Sequence, residues 1–346
     1  MMSLDLKKEI ILLKNLWKKK ILIHVILSDG FAGSEKYVCD LLEFQKKYFK
    51  VYLIISNKNL IIKKFLDKKI RVFQINFFFQ SAKIKKLINK INPDIVHTHL
   101  GEATKKVKSS SKYILISTLH MNYKKNNYQH TDALIVSNSS QQNALKKAGY
   151  KGKIFKMNLW VKLPKINISK SIIKNNLKIP KNHKIIGSIG RFHPQKGFDL
   201  IIRSFLLSKL RNTSLVLIGN GHKKFKYFEK NNRNIRILDH VENQSNYYNI
   251  FDIGIFMSRW ETFGYTLIEA MKFKIPIISS VHVGNKDWLK FFNVLRVTNG
   301  KIVNFNKILK NNEYLNKKKI NYDLEMFNYK KNCLIINNIY KKLLRA

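Results

Sequence analysis

A run of glycine and basic side chains near the middle of the chain has the composition of a phosphate-binding loop. Gly190 and Arg191 follow a predicted buried strand directly, and Lys196 and Gly197 precede a predicted helix. A glycine-containing turn from a strand into a helix directs backbone N–H groups at an anion. Arg191 can make a bidentate contact, and Lys196 supplies a point charge. The loop therefore suits a diphosphate, and the alternative interpretation is a basic loop that contacts only solvent.

Two glutamates some distance further along could line the same site. Glu261 lies in the loop after a predicted strand, and Glu269 lies about one turn into the helix that follows. The first N–H groups of that helix, on Tyr265, Thr266 and Leu267, would attract phosphate oxygens. Two glutamates at this spacing are more often solvated helix charges, but Glu269 occurs in an otherwise apolar helix. Its position indicates a carboxylate that is buried for a ligand.

The elements that must position these residues alternate between short apolar runs and amphipathic stretches, which is typical of a parallel sheet flanked by helices. In the N-terminal half the predicted strands cover residues 21–27, 51–55, 71–74, 94–97, 114–118 and 133–137, with a helix over 34–48. The pattern lapses around 158–166, and a second series has strands over 185–189, 215–218, 235–238, 253–257 and 276–279, with helices over 197–207, 244–249 and 265–273. We therefore predict an α/β fold of two Rossmann-like doubly wound domains that face a central cleft.

Composition limits the class of protein. The chain has 346 residues, of which 45% are hydrophobic, so it can bury a full core and is not disordered throughout. Its 2 cysteines are far apart and lack metal-ligand spacing, which indicates neither a disulfide framework nor a zinc site. The net charge of +45 points to a nearby polyanion, namely nucleic acid, an anionic membrane or a phosphorylated ligand, unless it reflects a compositional bias.

These motifs together resemble the retaining glycosyltransferases of family 4, which have the GT-B fold. The resemblance rests on Gly190-Arg191 with Lys196-Gly197, followed by the Glu-x7-Glu motif from Glu261 to Glu269. In the N-terminal half, Ala32-Gly33-Ser34-Glu35 is similar to the glycine loop of the family, and Thr118-Leu119-His120 is similar to its strand-end histidine. The resemblance covers roughly residues 21–290.

The resemblance implies a role for each matching residue. Arg191 and Lys196 would neutralise the diphosphate of a nucleotide-sugar, Glu269 would bind the ribose hydroxyls, and Glu261 would bind the transferred sugar. His120 would face the cleft from the first domain and contact the sugar or the departing phosphate, and Gly33 would let the backbone approach the phosphates. The implied catalytic residues are Glu261, His120, Arg191 and Lys196. The implied donor-binding residues are Gly33, Gly190, Arg191, Lys196, Phe263, Gly264, Tyr265, Thr266, Leu267 and Glu269.

No cofactor and no metal is expected, because fixed cations and helix N-termini can stabilise a departing diphosphate. The nucleotide-diphosphate sugar is itself a substrate. On this interpretation residues 1–163 form the acceptor-side domain, which begins with a basic amphipathic helix over 1–20. Residues 164–325 form the nucleotide-sugar-binding domain, and residues 326–346 form a C-terminal helix that packs back on the N-terminal domain.

The predicted function is transfer of a sugar, with retention, to a lipid-linked or cell-surface glycan acceptor of the lipopolysaccharide or capsule type. The predicted location is cytoplasmic and peripheral on the inner face of the cell membrane, whose anionic surface would attract the lysines. Two alternatives stay open. One is a GT-B sugar-nucleotide epimerase or phosphorylase, and the other is a basic nucleic-acid-binding protein, although no nucleic-acid-reading motif is present and no nucleic-acid partner is expected.

Overall fold

Two compact units make up the chain in the computed structural model, which describes residues 20–310 and 320–345. The first unit contains the described residues up to Trp160 together with those from Phe327 onward, and the second contains Val161–Met326. The predicted boundary between residues 163 and 164 lies slightly beyond this division. The basic helix predicted over residues 1–20 lies outside the described residues, apart from Lys20.

The sheet of the first unit has seven parallel strands within the described part of the chain. They are β1 (Ile21–Ile26), β2 (Lys50–Ser56), β3 (Arg71–Ile75), β4 (Ile95–His99), β5 (Ile114–Thr118), β6 (Ala133–Val136) and β7 (Lys153–Lys156). Their order across the sheet is β3-β2-β1-β4-β5-β6-β7. The strand order therefore reverses between β1 and β4, where doubly wound sheets open a crevice at the carboxyl ends of their strands.

Helices cover both faces of this sheet, which explains why its strands are near-continuous apolar runs. The helices are α1 (Gly33–Gln45), α2 (Gln80–Ile91), α3 (Leu100–Lys106), α4 (Lys125–Tyr128) and α5 (Ser139–Lys147), with a 3-10 helix over Leu60–Phe65. One core cluster joins Ile23 and Val25 of β1 to Ile54 of β2 and Ile84 of α2. This core fixes the strand ends, and hence the loops that leave them.

The second unit repeats the architecture with six parallel strands among its described residues. They are β8 (Lys184–Ile189), β9 (Thr213–Ile218), β10 (Ile235–Leu238), β11 (Ile253–Phe256), β12 (Ile277–Ser280) and β13 (Leu295–Val297), in the order β10-β9-β8-β11-β12-β13. The helices are α6 (Lys170–Asn176), α7 (Phe198–Ser208), α8 (Lys226–Lys230), α9 (Gln244–Tyr248), α10 (Tyr265–Met271), α11 (Lys286–Leu289) and α12 (Phe305–Lys310), with 3-10 helices over Pro194–Lys196, Lys223–Phe225 and Glu325–Phe327. Here the strand order reverses between β8 and β11.

The last helix, α13 (Tyr329–Leu344), follows the second unit in sequence but packs in the first. Buried Asn337 accepts a hydrogen bond from Gln45 of α1 at 3.0 Å. The hydroxyl of Tyr340 lies 2.6 Å from Nδ1 of His97 on β4. The helix therefore supplies polar partners to buried groups beneath it as well as apolar contacts.

Both units have the parallel, doubly wound α/β topology that the sequence pattern predicts, and several boundaries differ in detail. Strand β4 runs to His99 rather than ending at His97. Helix α7 begins at Phe198, because Gly197 has φ +68° and lies outside the helix. Helix α10 ends at Met271, two residues before the predicted end. No helix within the described ranges is long and apolar enough to cross a bilayer.

Candidate active site

Two loops of the second unit meet at the point where its strand order reverses. The loop after β8 contains residues 190–197, and the loop after the neighbouring strand β11 contains residues 257–264. The N–H of Arg259 donates to the carbonyl of Gln195 at 2.8 Å, and the Gln195 side chain donates to the carbonyl of Trp260 at 2.7 Å. A Cβ on Gly197 would lie 2.1 Å from the carbonyl oxygen of Met257, so only glycine allows this approach. These hydrogen bonds and this close backbone approach therefore hold the two loops together.

An ion pair between Arg259 and Asp199 also connects these two parts of the second unit. The guanidinium of Arg259 donates to both carboxylate oxygens of Asp199, at 2.8 and 2.6 Å. This bidentate bond lowers the pKa of Asp199 and raises that of Arg259. Because Asp199 lies in the first turn of α7, the pair ties the start of that helix to the loop after β11.

Lys196 and Glu261, which the sequence singles out separately, lie in direct contact. Nζ of Lys196 is 2.8 Å from Oε1 of Glu261, and both side chains are largely buried. The hydroxyl of Ser258 also donates to Glu261. Burial by itself would raise the pKa of Glu261, but Lys196, His282 and these hydrogen bonds outweigh it and lower that pKa. Glu261 is therefore an ionised acceptor at neutral pH, with a cation beside it.

The loop after β12 adds a histidine that sequence analysis missed. His282 is 8% exposed and lies close enough to Glu261 to lower its pKa. Burial lowers the pKa of His282 itself to about 4. A Cβ on Gly284 would lie 2.5 Å from backbone atoms of Glu261 and Phe263, so this glycine lets the third loop contact the second. The position of His282, just beyond a strand end, is the signal that could have identified it.

Glu269 is buried, as predicted from its apolar neighbours, and has a protein partner. It is 7% exposed, and one of its carboxylate oxygens accepts a hydrogen bond from the Tyr248 hydroxyl at 2.9 Å. Burial, followed by the proximity of Glu269, raises the pKa of Tyr248 well above its ordinary value. Tyr248 is thus a fixed donor that orients the carboxylate.

The remaining predicted donor-side residues differ in what they can offer to a ligand. Arg191, in the loop after β8, is exposed. The aliphatic part of the Lys196 side chain packs beside Gly190. The side chains of Phe263 and Leu267 are buried in the core, which leaves only their backbone for binding. Gly264 has φ +96° and precedes α10, whose first residues are Tyr265 and Thr266.

His120 and Gly33 belong to the first unit. Gly33 is the first residue of α1 and is partly exposed. His120 follows β5, is 8% exposed, and has its Nε2 3.3 Å from Nδ1 of His99. The edge of the Tyr37 ring packs against it, with ring centroids 5.0 Å apart. Burial lowers the pKa of His120 to about 3, so its imidazole is neutral at pH 7.

Three further histidines lie behind His120. Ring nitrogens of His24 on β1 and of His97 and His99 on β4 lie within 4.8 Å of one another, and all three side chains are buried. This is the kind of spacing that a transition metal could bridge. Alternation of side chains along β4 places His97 and His99 on one face of the strand. No motif in the sequence pointed to His24.

Comparison with known proteins agrees with this architecture. A family model described as "Glycosyl transferases group 1" matches residues 169–324, and one described as "Glycosyl transferase 4-like" matches residues 26–113. The crystal structure of Anabaena HepE in complex with UDP and glucose superposes with a TM-score of 0.75 at 14% identity, covering 94% of this chain and 100% of HepE. The GT-B fold predicted from the sequence is therefore confirmed, and each unit matches a family model of glycosyltransferases.

Two curated relatives are similar to this chain over different lengths. CapM of Staphylococcus aureus, a capsular polysaccharide biosynthesis glycosyltransferase, is 31% identical over 136 residues, which are 35% of this chain and 36% of CapM. A 41.2 kDa protein in the cps region of Klebsiella pneumoniae is 26% identical over 268 residues, which are 74% of this chain and 73% of that protein. The chain therefore aligns with little more than a third of CapM, but with most of the Klebsiella protein.

Proposed function

We propose that the chain is a retaining glycosyltransferase of family 4, which moves a sugar from a nucleotide-diphosphate sugar to a lipid-linked or cell-surface glycan. The observation that carries this proposal is the contact between Lys196 and Glu261 at the strand-order reversal of the second unit. A cation suited to a diphosphate and a carboxylate suited to sugar hydroxyls lie side by side there. Ligands of doubly wound sheets bind at this kind of position.

The roles of the residues follow from their charge states. Departure of a nucleoside diphosphate develops negative charge, which Lys196 and the exposed Arg191 would stabilise without a metal or a cofactor. Glu261 would accept hydrogen bonds from the transferred sugar, because an ionised carboxylate only accepts. Glu269, held by Tyr248, would accept from the ribose hydroxyls. Retention is inferred from the Glu-x7-Glu resemblance, with attack by the acceptor hydroxyl on the face of the departing phosphate.

The nature of donor and acceptor is proposed from the relatives. HepE was solved with UDP and glucose, which supports a uridine diphosphate sugar as the first donor to test. CapM is described as a capsular polysaccharide biosynthesis glycosyltransferase, and the Klebsiella protein as one in a cps region, which supports a growing glycan of the capsule or lipopolysaccharide type as acceptor.

A thermal-shift screen of uridine, guanosine, adenosine and thymidine diphosphate sugars tests donor binding. A ligand that binds only the folded protein stabilises it by about 2.7 kcal/mol at one hundred times its dissociation constant. We expect one nucleotide class to raise the melting temperature, and to do so equally in EDTA. The sugar of that donor is then transferred to an acceptor, and NMR of the anomeric proton in the product shows whether the configuration is retained or inverted. If none of the four classes stabilised the protein, the proposed function would be wrong.

Replacing Lys196 by alanine tests the proposed phosphate contact. We expect Lys196→Ala to lower turnover at least about tenfold, because a charge partner of the developing anion is lost. Lys226→Ala is the matched control, because Lys226 also pairs with a glutamate, Glu229 at 2.6 Å, in the same unit. Equal losses in the two variants would contradict the assignment of Lys196.

An aromatic surface on the first unit supports the proposed attachment to an anionic membrane. It consists of Leu60, Ile61 and Phe65 after β2 and of Phe77, Phe78 and Phe79 after β3. The three consecutive phenylalanines are 69%, 71% and 80% exposed. Because β2 and β3 are neighbours, both segments leave the same edge of the sheet. Exposed lysines accompany them, namely Lys63, Lys64, Lys83, Lys85 and Lys86. Apolar side chains flanked by lysines fit the interface of an anionic bilayer.

Co-sedimentation with vesicles tests this attachment. We expect binding to anionic vesicles, weaker binding to neutral ones, and persistence in excess tRNA. Serine at Phe77, Phe78 and Phe79 should reduce sedimentation by about tenfold or more, because each buried phenylalanine contributes about 1.5–3 kcal/mol. Serine at three comparably exposed residues of the second unit, Leu207 (68%), Tyr227 (67%) and Phe291 (66%), serves as control. Transfer of the protein to tRNA would instead favour the nucleic-acid-binding alternative.

A further inference from the structure

A buried turn after β12 holds the side chain of His282 in one orientation. The backbone N–H of His282 donates to Oδ1 of Asn285 at 2.9 Å, and the N–H of Gly284 donates to Nδ1 of the His282 ring at 3.2 Å. Asn285 is itself fully buried and donates to the carbonyl of Ser280 at 2.9 Å. The indole N–H of Trp288 donates to the carbonyl of Gly284 at 3.0 Å. These bonds fix the turn, and with it the imidazole.

The bond from Gly284 determines where the ring of His282 carries its proton. A backbone N–H can only donate, so Nδ1 must supply a lone pair. Burial lowers the pKa of His282 to about 4, so the imidazole is neutral at pH 7 and has a single proton. That proton is therefore on Nε2, which makes Nε2–H a fixed hydrogen-bond donor.

No group in the described part of the chain accepts a hydrogen bond from this donor. The hydrogen bonds of His282 to other described residues are made through its backbone and through Nδ1. The residue is only 8% exposed, yet Nε2 is not one of the unpartnered polar atoms that the protein encloses completely. The exposed part of the ring therefore includes Nε2. A largely buried side chain that presents one polar atom in this way is typical of a ligand-binding site.

The donor lies at the candidate site of the second unit, beside Lys196 and Glu261. Cε1 of His282, the carbon bonded to Nε2, lies 3.8 Å from the position of a Cβ on Gly264, at the end of the loop that contains Glu261. A Cβ on Gly284 would lie 2.5 Å from the carbonyl oxygen of Glu261, so the turn contacts the same loop. Burial has the largest effect on the pKa of His282, but nearby Glu261 raises it and nearby Lys196 lowers it. A fixed neutral donor and an ionised acceptor thus occupy one small region.

We propose that His282 binds the transferred sugar, with its Nε2–H donating to a hydroxyl oxygen whose hydrogen is directed to Glu261. One hydroxyl can accept from an N–H and donate to a carboxylate at the same time. A phosphate oxygen or a sugar carboxylate at pH 7 cannot donate to Glu261 and would be repelled by it. His282 therefore selects sugars that have a hydroxyl at this position. The substrate in this statement rests on the proposed function, whereas the state of the ring does not.

Nitrogen-15 NMR of the full chain, labelled in its histidine rings, tests the state of the ring at pH 7.5 without substrate. Two-bond proton–nitrogen correlations distinguish an N–H nitrogen from a lone-pair nitrogen, and the spectrum of His282→Gln identifies the signals of His282. We expect the proton to be entirely on Nε2. A proton on Nδ1, a mixture of tautomers or an imidazolium would overturn the proposal, whether or not the protein is a transferase.

Calorimetric titration with UDP-glucose and with UDP separates the sugar contact from the nucleotide contacts. If the thermal-shift screen selects another nucleotide, its sugar nucleotide and its free diphosphate replace this pair. In His282→Asn the amide oxygen can still accept from Gly284, but no donor reaches the position of Nε2. We expect this variant to bind UDP-glucose about threefold to tenfold more weakly, since one neutral hydrogen bond is lost, and to bind UDP as the parent does. His282→Gln places an amide N–H near the position of Nε2 and should restore most of the affinity.

His183→Asn is the matched control for the titration, because Nδ1 of His183 in the same unit is also hydrogen-bonded, to the Ser214 hydroxyl at 2.9 Å. Equal losses for UDP and UDP-glucose in His282→Asn, or unchanged binding of both, would overturn the proposal. If His282→Asn does not fold, the parent answers the same question by NMR. UDP-glucose should shift the Nε2–H signal of His282 and UDP should not, and an equal shift with both would refute the sugar contact.

Analogues of UDP-glucose that each lack one hydroxyl test the shared hydroxyl. One analogue should bind the parent and His282→Asn equally, because it lacks the oxygen that His282 contacts. In Glu261→Gln, measured relative to UDP, the same analogue should show the smallest loss of affinity. A difference between the parent and His282→Asn that persists in every analogue would contradict the proposal.

The two proposals fail in different ways. If no nucleotide class binds, the proposed function and the sugar contact are both refuted. If a donor binds but His282→Asn has the affinity of the parent, the proposed function stands and only the role of His282 is refuted.

Discussion

Mild acid should destabilise the first unit, because its histidine cluster is buried in the uncharged form. Burial lowers the pKa of His24 to about 4 and of His120 to about 3, and it lowers the pKa values of His97 and His99 well below the ordinary value. In the unfolded chain each histidine titrates near pH 6.5. Between these values only the unfolded chain binds the proton. Stability present above pH 6.5 is therefore lost as the pH falls towards the folded-state pKa.

The size of the loss follows from proton linkage. Between pH 7.5 and 5.5, a histidine that stays neutral in the folded state lowers the free energy of unfolding by about 1.4 kcal/mol. His24 and His120 together then lower it by about 3 kcal/mol, and His97 and His99 act in the same direction. This is a large share of the ~5–15 kcal/mol that a typical protein has.

Hydrogen exchange followed by mass spectrometry can assign the loss to the first unit. Peptides from β1 and β4 should show the fall in opening free energy between pH 7.5 and 5.5, after correction for the intrinsic exchange rate. His24→Asn should reduce the fall by about 1.4 kcal/mol, since one titrating group is removed. His240→Asn, at an exposed site of the second unit, is the control. An opening free energy in β1 and β4 that is unchanged or higher at pH 5.5 would refute the reasoning.

Two further predictions concern the second unit. Glu269→Gln should weaken donor binding in calorimetric titration. It should leave the melting temperature nearly unchanged, because the amide oxygen can still accept the hydrogen bond from Tyr248. Unaltered donor affinity would contradict the assignment of Glu269 to the ribose. Gly284→Ala should destabilise the protein by about 1–3 kcal/mol in urea unfolding, because its Cβ would lie 2.5 Å from backbone atoms of Glu261. Gly30→Ala, where a Cβ would meet nothing within 4 Å, is the matched control, and equal stabilities of the two variants would contradict the predicted clash.

Most of the fold could be predicted because its central strands are continuous apolar runs. Strand β1, predicted over Ile21–Leu27, forms over Ile21–Ile26, and β9 begins only two residues before its predicted start. The sequence pattern did not predict β7 or β13. These two edge strands are short, and exposed charged residues interrupt their apolar pattern, for example Lys153 and Arg296. An edge strand needs less burial than a central one, so its pattern is weaker.

The candidate site could be predicted one loop at a time, but its contacts could not. Motif spacing placed Lys196 and Glu261 each in a loop after a predicted strand, yet nothing in the spacing showed that the two strands are neighbours or that the side chains pair at 2.8 Å. The buried hydrogen bond between Gln45 and Asn337 could not be predicted at all, because these residues are 292 positions apart in the chain. Hydrogen bonds between distant segments depend on packing that only the folded chain specifies.

The position of α13 has a consequence for the order in which the protein can fold during synthesis. The first unit is incomplete until the ribosome has produced Asn337 and Tyr340, which are buried against Gln45 and His97. Translation of residues 161–326 at about 5–20 residues per second delays that moment by on the order of 10 s or more. During this interval the nascent first unit leaves the groove for α13 uncovered. Chaperones that bind exposed apolar surface should therefore associate with nascent chains that end before residue 327, and should be released once α13 has emerged.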